Sequence, residues 1–503
     1  MPISRTESLK SLISKLDRSE KRFFQLYVRR LDSNSDVKFL ELFNLIEFNP
    51  LLDDLKLTKK LKLKSSQQYA NLKRHLFEQI LIALRIQHSD RLTPLRLHEK
   101  MDYMYLLKEK AMFEECLHFS SKCHKWINDK HMVYNLILDE SVDEINMLRG
   151  QKSDIQHGFS DHSKLLLGQI EQLKILQISL KQSLGDYTIY SYAKNLREAE
   201  LRNSKFEISV SSIHYERLTS YQKFLFHLTR GISKHAIADI KASYKDLKQA
   251  ENFYNTSEEL KGGVEMHHMY GFIIRNALWT GNESILESCF IKYEEEIGSH
   301  FDVGSPAERY AYFIYTIPLL IRRMIVLKDY AEYSALESRI EILFNEFKDE
   351  VPDHINFEIL YLKALVYASK GDYHNALEIL NQIFQISIDE TNGKYYCYAR
   401  LLQIMCHYRL NNFQYVDNNL INLRKAFLNY DGLNKPVELS LQMLRKGVKA
   451  MNFGLKEEFE LLGLKLSELR KDPYQASSFL LFNFTDWFAA IKWNKSISSL
   501  KGR

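Results

Sequence analysis

The chain has 503 residues, 45% of them hydrophobic and 26% charged, with a formal net charge of +5. This balance excludes both wholesale disorder and a chain immersed throughout in lipid. Only 18 Gly and 8 Pro occur, far fewer turn residues than a many-stranded protein uses, so composition predicts an all-α fold.

From Met1 to Leu12 the chain carries Arg5, Glu7 and Lys10 and lacks an apolar run of secretory length, so a cytoplasmic protein is expected. Leu9, Leu12, Ile13 and Leu16 predict a first helix. Ser19 offers a cap for a second, carrying Phe23, Phe24, Leu26 and Tyr27, and Asp36 opens a third through Phe39, Leu42, Phe43 and Ile46. A lysine-rich stretch from Leu55 to Lys64 follows Asn49-Pro50. Ser65 or Ser66 then caps a long helix with Tyr69, Leu72, Leu76, Ile80 and Leu84 along one side. The break from Ser89 to Pro94 predicts a small helical domain over residues 1–90.

That segment holds 17 Lys and Arg against 11 Asp and Glu, a net of +6, so attraction to polyanions concentrates there. Lys59, Lys60 and Lys62, preceding a helix that bears Lys73 and Arg74, resemble in outline a helix-turn-helix or winged-helix module. In such modules the last helix enters a major groove while lysines meet phosphates. A solvated loop before a packed amphipathic helix accounts for the same residues.

From Leu95 onward long amphipathic helices alternate with brief polar turns. Met112-Phe113, Gly185-Asp186-Tyr187, Gly281-Asn282 and Lys328-Asp329-Tyr330 are read as turns, and Pro318 is expected to kink its helix. The nearly uncharged run from Tyr310 to Ile321 spans twelve residues, too short to cross ~30 Å of hydrocarbon. Leu362, Leu365, Val366 and Tyr367 form one apolar stripe, Gly371-Asp372-Tyr373 a turn, and Ala376, Leu377, Leu380 and Ile383 a second stripe. Asn411-Asn412-Phe413 with Val416, Leu420 and Leu423 gives a following unit.

These helix–turn–helix units resemble the tetratricopeptide repeat, with the Gly-Asp-Tyr turn six residues after Tyr367 and a small residue, Ala376, three positions later. The resemblance implies a right-handed α-solenoid over 91–503 whose concave groove is lined by the first helix of each pair. Carried onto this chain, the groove positions are Glu358, Tyr361, Leu365, Tyr398, Leu401, Met405 and Arg409, with Tyr315 and Arg322. Aromatic, Met and Arg side chains anchor interfaces, and the same types at helical spacing also build cores. The segment Leu16-Asp17-Arg18-Ser19-Glu20-Lys21-Arg22-Phe23-Phe24, with the closing Phe484-Thr485-Asp486-Trp487-Phe488, also resembles an uncharacterised family of bacterial helical-repeat proteins. That family brings no activity with it.

Two Glu-x-x-His pairs, Glu115 with His118 and Glu265 with His268, have the spacing used in di-iron bundles. Chance gives about one such pair in a chain of this composition. Cys116, His118, Cys123 and His124 do not converge if helical, because the cysteines lie about 10 Å apart along the axis. Five scattered cysteines without CxxC spacing suit reduced, buried thiols. No phosphate-loop, dinucleotide, nucleophile-elbow or zinc-protease motif occurs. The expectation is a non-enzymatic scaffold for a protein or peptide, without metal, cofactor or membrane. The alternative is a cytoplasmic regulator with an amino-terminal DNA-binding module. The aromatic segment from Phe479 to Trp493 is expected to cover the last repeat.

Overall fold

The computed structural model describes residues 5–30, 36–148, 158–257, 260–261, 263–298, 304–389, 391–450 and 455–500. All regular elements among them are helical. The chain divides into two compact units, Met1–Ile170 and Glu171–Arg503.

The first unit begins with α1 (Arg5–Lys15), α2 (Arg18–Arg30), α3 (Asp36–Phe48), α4 (Asp54–Lys60) and α5 (Ser66–His88). Leu9, Ile13, Phe24, Val28, Phe43 and Ile80 meet in one buried cluster. The cap of α2 is Asp17 rather than Ser19. Glu20 N donates to Asp17 Oδ1 (2.8 Å) while Asp17 N donates to Glu20 Oε2 (2.9 Å), and this reciprocal pair satisfies two helix-end donors where a serine would satisfy one. Ser65 caps α5 as expected, accepting from Gln68 N. The break at Ser89–Pro94 is the connection into α6 (Thr93–Glu109), followed by α7 (Phe113–His124) and α8 (Val133–Leu148). A second cluster of Leu97, Met104, Cys123 and Leu138 holds these together. The ion pair Arg85–Asp102 spans the break, so the boundary expected after residue 90 falls inside the first unit.

α9 (Gly158–Tyr190) is one long helix. The expected turn at Gly185-Asp186-Tyr187 does not form. Gly185 keeps an ordinary backbone, and the left-handed residue that ends the helix is Ser191, φ 55°. After α10 (Leu196–Ser209) come helical hairpins: α11 (Ser220–Ala236) with α12 (Ile240–Thr256), and α13 (Val264–Thr280) with α14 (Glu283–Ile297). They continue as α15 (Pro306–Leu327) with α16 (Tyr333–Phe347), α17 (Asp353–Lys370) with α18 (Tyr373–Ile383), and α19 (Gly393–Arg409) with α20 (Phe413–Tyr430). The last is α21 (Lys435–Ala450) with α22 (Lys456–Leu469). Gly281, Lys328, Gly371 and Asn411 each adopt positive φ at a hairpin turn, which ends one helix and lets Asn282 or Asp372 cap the next. First helices also touch in series, α11 with α13, then α15, α17 and α19.

Pro318 does not break α15, because the turn Tyr312–Thr316 widens to a π-helical turn just before it, absorbing the missing N–H. α15 is therefore longer than the twelve-residue run suggested. Among the described residues it is one helix long and apolar enough to cross a membrane, with a mean hydropathy of 1.4. Here Phe313, Ile317, Leu319 and Ile321 are buried against the protein, and Arg322 and Arg323 are both ion-paired.

The carboxyl end forms two helices, α23 (Pro473–Leu481) and α24 (Phe484–Trp493), and a closing turn, Ile497–Leu500. α24 packs on α22 as a cover for the last hairpin should. α23 reaches α13, and the closing turn reaches α17, so this segment returns across the row of first helices.

Candidate binding cavity

The second unit encloses a cavity of about 980 Å³, at the upper end of the range for sites that swallow a small ligand. First helices supply about half of the wall. α13 contributes His267, His268, Phe272 and Arg275, α15 contributes Tyr315 and Arg322, and α17 contributes His354, Glu358, Leu362 and Leu365. Lys394 and Tyr395 come from the start of α19, Tyr187 and Tyr192 from the end of α9 and just beyond it, and Leu480 and Trp487 from the returning carboxyl segment.

At its centre Arg322 and Glu358 form an ion pair, 2.8 Å from Nη2 to Oε1, both largely buried. Arg322 also donates to Tyr395 Oη (3.0 Å) and to the carbonyl of Leu480 (3.2 Å). Burial alone raises a carboxyl. The fields of Arg322 and Arg275 outweigh it and hold Glu358 below the usual carboxylate range. An ionised carboxylate in this position is tolerable only because its partner is in hydrogen-bonding contact.

Two other cations stand differently. Among the described residues, Arg275 makes no hydrogen bond or ion pair and lies 5.3 Å from the ring of Phe272. Its guanidinium folds back along its own helix into space left by Gly271, where a Cβ would come within 3.0 Å of Arg275 Nη1. Lys394 likewise has no hydrogen-bonding or ion-pair partner among the described residues and sits 5.7 Å from the ring of Tyr192. Burial pushes its ammonium below the usual lysine value. Asp431 opposes this through space, while Lys194, Arg322 and Arg202 add to it.

His268 and His235 are neutral near pH 7. Burial, reinforced by Arg275, lowers His268 to about 4. His235 behind the wall is lowered to about 3, also by burial first, with Asn276 opposing. Its Nδ1 therefore donates to Asn276 Oδ1 (2.6 Å) and its Nε2 accepts from Tyr192 Oη (2.8 Å). Asn276 continues the chain to Ser243, and Ser243 to the carbonyl of Gly231. This network fixes the Tyr192 ring that Lys394 faces.

Of the expected groove residues, Tyr315, Arg322, Glu358 and Leu365 line the cavity. Tyr361, Tyr398, Leu401 and Met405 do not, having no accessible surface. Tyr361 donates to the carbonyl of Leu481 (2.7 Å), and Tyr398 accepts from Asn434 Nδ2 (3.2 Å) and meets Phe427 edge-on. Arg409 is engaged by the chain itself, donating to Tyr373 Oη and to the carbonyls of Ala490 and Lys495. On α17 the assigned stripe meets the cavity at Glu358 and Leu365. In α19 the cavity instead takes Lys394 and Tyr395, one turn earlier than Tyr398.

Arg275, Lys394 and Tyr395 were missed because no turn or motif marks them. The local signal is a helix-interior glycine, Gly271, four residues before an arginine. In the first unit Lys59, Lys60, Lys62 and Arg74 are exposed. Lys73 is not, since its ammonium is paired with Asp54 Oδ2 at 2.8 Å and covers the ring of Tyr69.

Cys116 and Cys123 are both buried, and Cys116 Sγ donates to the carbonyl of Met104. Among the described residues no three His, Cys, Asp or Glu side chains converge. Compared with protein-family models, curated proteins and solved structures, the chain matches none.

Proposed function

We propose that residues 171–503 form a right-handed tetratricopeptide-like solenoid that works as a non-enzymatic binding module, taking a peptide segment of a partner into the cavity. The observation that carries this reading is the origin of the wall. Four successive first helices, α13, α15, α17 and α19, all face one space, and first helices are what a helical-repeat array turns toward its ligand. The separation of 36 residues links Glu287 with Arg323 and Tyr373 with Arg409. In both cases the start of a second helix meets the end of the next first helix, the recurrence a repeat array produces. Apolar side chains, tyrosines and a few charged groups give the wall the character of a peptide site.

The test is selection of binders from a displayed random peptide library against the full chain, repeated with Ile355→Trp, which puts an indole in the cavity. Binders should be lost in that variant. Binders that survive it engage another surface and would overturn the reading.

A second reading keeps the first unit as a nucleic-acid-binding module of a regulator. It is favoured by the exposed Lys59, Lys60, Lys62 and Arg74 on α4, the turn after it and α5, none ion-paired among the described residues.

A further inference from the structure

We infer that the cavity of the second unit is an oxyanion site, in which Arg275 and Lys394 receive a carboxylate or phosphate carried by the ligand. The inference deepens the peptide-binding reading and rests on it for the identity of the ligand, though not for the presence of an anion.

Charge accounting leads to it. Five cations, Arg275, Arg322, Lys328, Lys394 and Arg470, line the cavity against three carboxylates, Glu283, Glu358 and Asp486, a net excess of two positive charges. Glu358 makes no hydrogen bond to Arg275 or Lys394 among the described residues, and its Oε1 accepts from both Nε and Nη2 of Arg322. Asp486, also on the wall, is paired with Lys328 at 3.0 Å. Asp431 attracts Lys394 without a hydrogen bond between them. Arg202, which repels Lys394, is itself held by Glu198 and by the carbonyl of Ser191. Cations withdrawn from water are ordinarily paired, and this chain pairs the part-buried Arg309, Arg322 and Arg323 with glutamates. Arg275 and Lys394 depart from that pattern, and both point into the same cavity.

Both cations also have aromatic neighbours, Phe272 and Tyr192, and the Tyr192 ring is fixed by the His235–Asn276–Ser243 chain. Such a setting restricts a cation without neutralising it, so a planar oxyanion finds donors already placed. Gly271 adds a structural cost in the same direction. A glycine inside α13 weakens the helix by about 0.5–1 kcal/mol relative to alanine, and its position makes room for the Arg275 guanidinium. Apolar wall residues such as Leu362, Leu365 and Leu480 surround the charged centre, which suits an anion on an organic body.

The experiment uses the full chain with two kinds of probe at low and high salt. The first is small oxyanions, citrate and inorganic pyrophosphate, followed by calorimetric titration. The second is a pair of labelled hexapeptide pools, one with Asp or Glu at a fixed position and one with Asn or Gln there. The expected result is saturable oxyanion uptake, weakened by salt and by at least about tenfold in Arg275→Met and Lys394→Met. The acidic pool should bind in preference to its amide counterpart. Without any anion present, both variants should melt at the same temperature as the unaltered chain or higher, because each removes a part-buried charge that has no contact partner.

A structural role would give the opposite sign, so a lowered melting temperature with unchanged uptake would overturn the inference. Failure of every oxyanion and both pools to bind would overturn it too. If both pools bind alike and the two variants make no difference, the peptide reading stands and the oxyanion site falls. If citrate or pyrophosphate binds through Arg275 and Lys394 while neither pool does, the oxyanion site stands and the peptide reading falls. Preference for pyrophosphate over citrate assigns phosphate rather than carboxylate as the source of the anion.

Discussion

Arg322 and Glu358 sit 36 residues apart and join α15 to α17 by a largely buried ion pair braced by Tyr395 and by the Leu480 carbonyl. The pair links two first helices and the returning carboxyl segment at one point. Removing one partner leaves the other charge buried and alone, at a cost of about 3–5 kcal/mol. Arg322→Met and Glu358→Gln should each lower the stability of the second unit by an amount of that order. The double variant should lose much less than the sum. Calorimetry on the four proteins checks this, and additive losses would show that the two side chains act independently.

Tyr398 and Met405 have the side-chain chemistry of interface anchors and the burial of a core. Tyr398→Ala should therefore cost ~3–5 kcal/mol through the cavity it opens, while Tyr398→Phe should cost only about 1 kcal/mol for the hydrogen bond from Asn434. Thermal melting of both variants separates packing from hydrogen bonding. An unchanged melting temperature for Tyr398→Ala would return that residue to a surface role.

The contrast shows how far sequence patterns reach. Helical periodicity located four of the six hairpins between α11 and α22, where Gly281, Gly371 and Asn411 among others mark turns that need a left-handed residue. The hairpin of α11 and α12 escaped, since its turn places Ala238 at φ 63° with no glycine to signal it. Which side of a first helix faces the cavity depended on a rotation of about one residue, 100° on a helix. Glu358 and Leu365 line the cavity on the stripe the repeat pattern selects. Tyr398 instead faces Phe427 and Asn434, and Arg409 is held by the returning carboxyl segment, a return that nothing local encodes.

In the first unit, Lys73 differs from its basic neighbours. It is nearly buried, and Asp54 and the Tyr69 ring hold its ammonium. Lys73→Ala should lower the melting temperature of the first unit, at roughly 1 kcal/mol given the half-exposed aspartate. Lys59→Gln with Lys60→Gln should leave melting unchanged. If the unit binds duplex DNA, only the exposed lysines should reduce the salt dependence of binding to the full chain without loss of stability. Equal melting shifts for both kinds of substitution would contradict the placement of Lys73.

The two neutral histidines give an acid limit to stability. His235 and His268 titrate at about 3 and about 4 in the folded chain, against 6.5 when exposed. The unfolded chain therefore takes up protons first as pH falls below 6.5, and the folded state loses stability progressively from there down to about 4 and about 3 respectively. Each buried histidine contributes up to about 1.4 kcal/mol per pH unit inside its window. His235 is faced by Asn276, Tyr192 and Arg275, and His268 by Arg275, His267 and Tyr315. Melting temperature against pH should show this slope, and His268→Gln should flatten it between 6.5 and about 4. A slope unaffected by that substitution would show that other groups govern the acid transition.

Two helix glycines make opposite predictions. Gly447 lies inside α21, where an added Cβ would fall 1.8 Å from Tyr408 Oη. Helix and tyrosine must separate to admit it, so Gly447→Ala should cost ~1–3 kcal/mol by overpacking. Gly185 lies inside α9 with nothing within 4 Å of the same atom. Alanine there removes the conformational freedom of glycine from the unfolded chain and meets no obstacle in the folded one, so Gly185→Ala should stabilise by about 0.5–1 kcal/mol. The comparison also tests the course of the chain. A tetratricopeptide-like turn at Gly185-Asp186-Tyr187 would need a left-handed glycine, and alanine would then destabilise the protein. Denaturant unfolding of the two variants decides between a continuous α9 and a hairpin, since the sign of the Gly185→Ala effect differs between them.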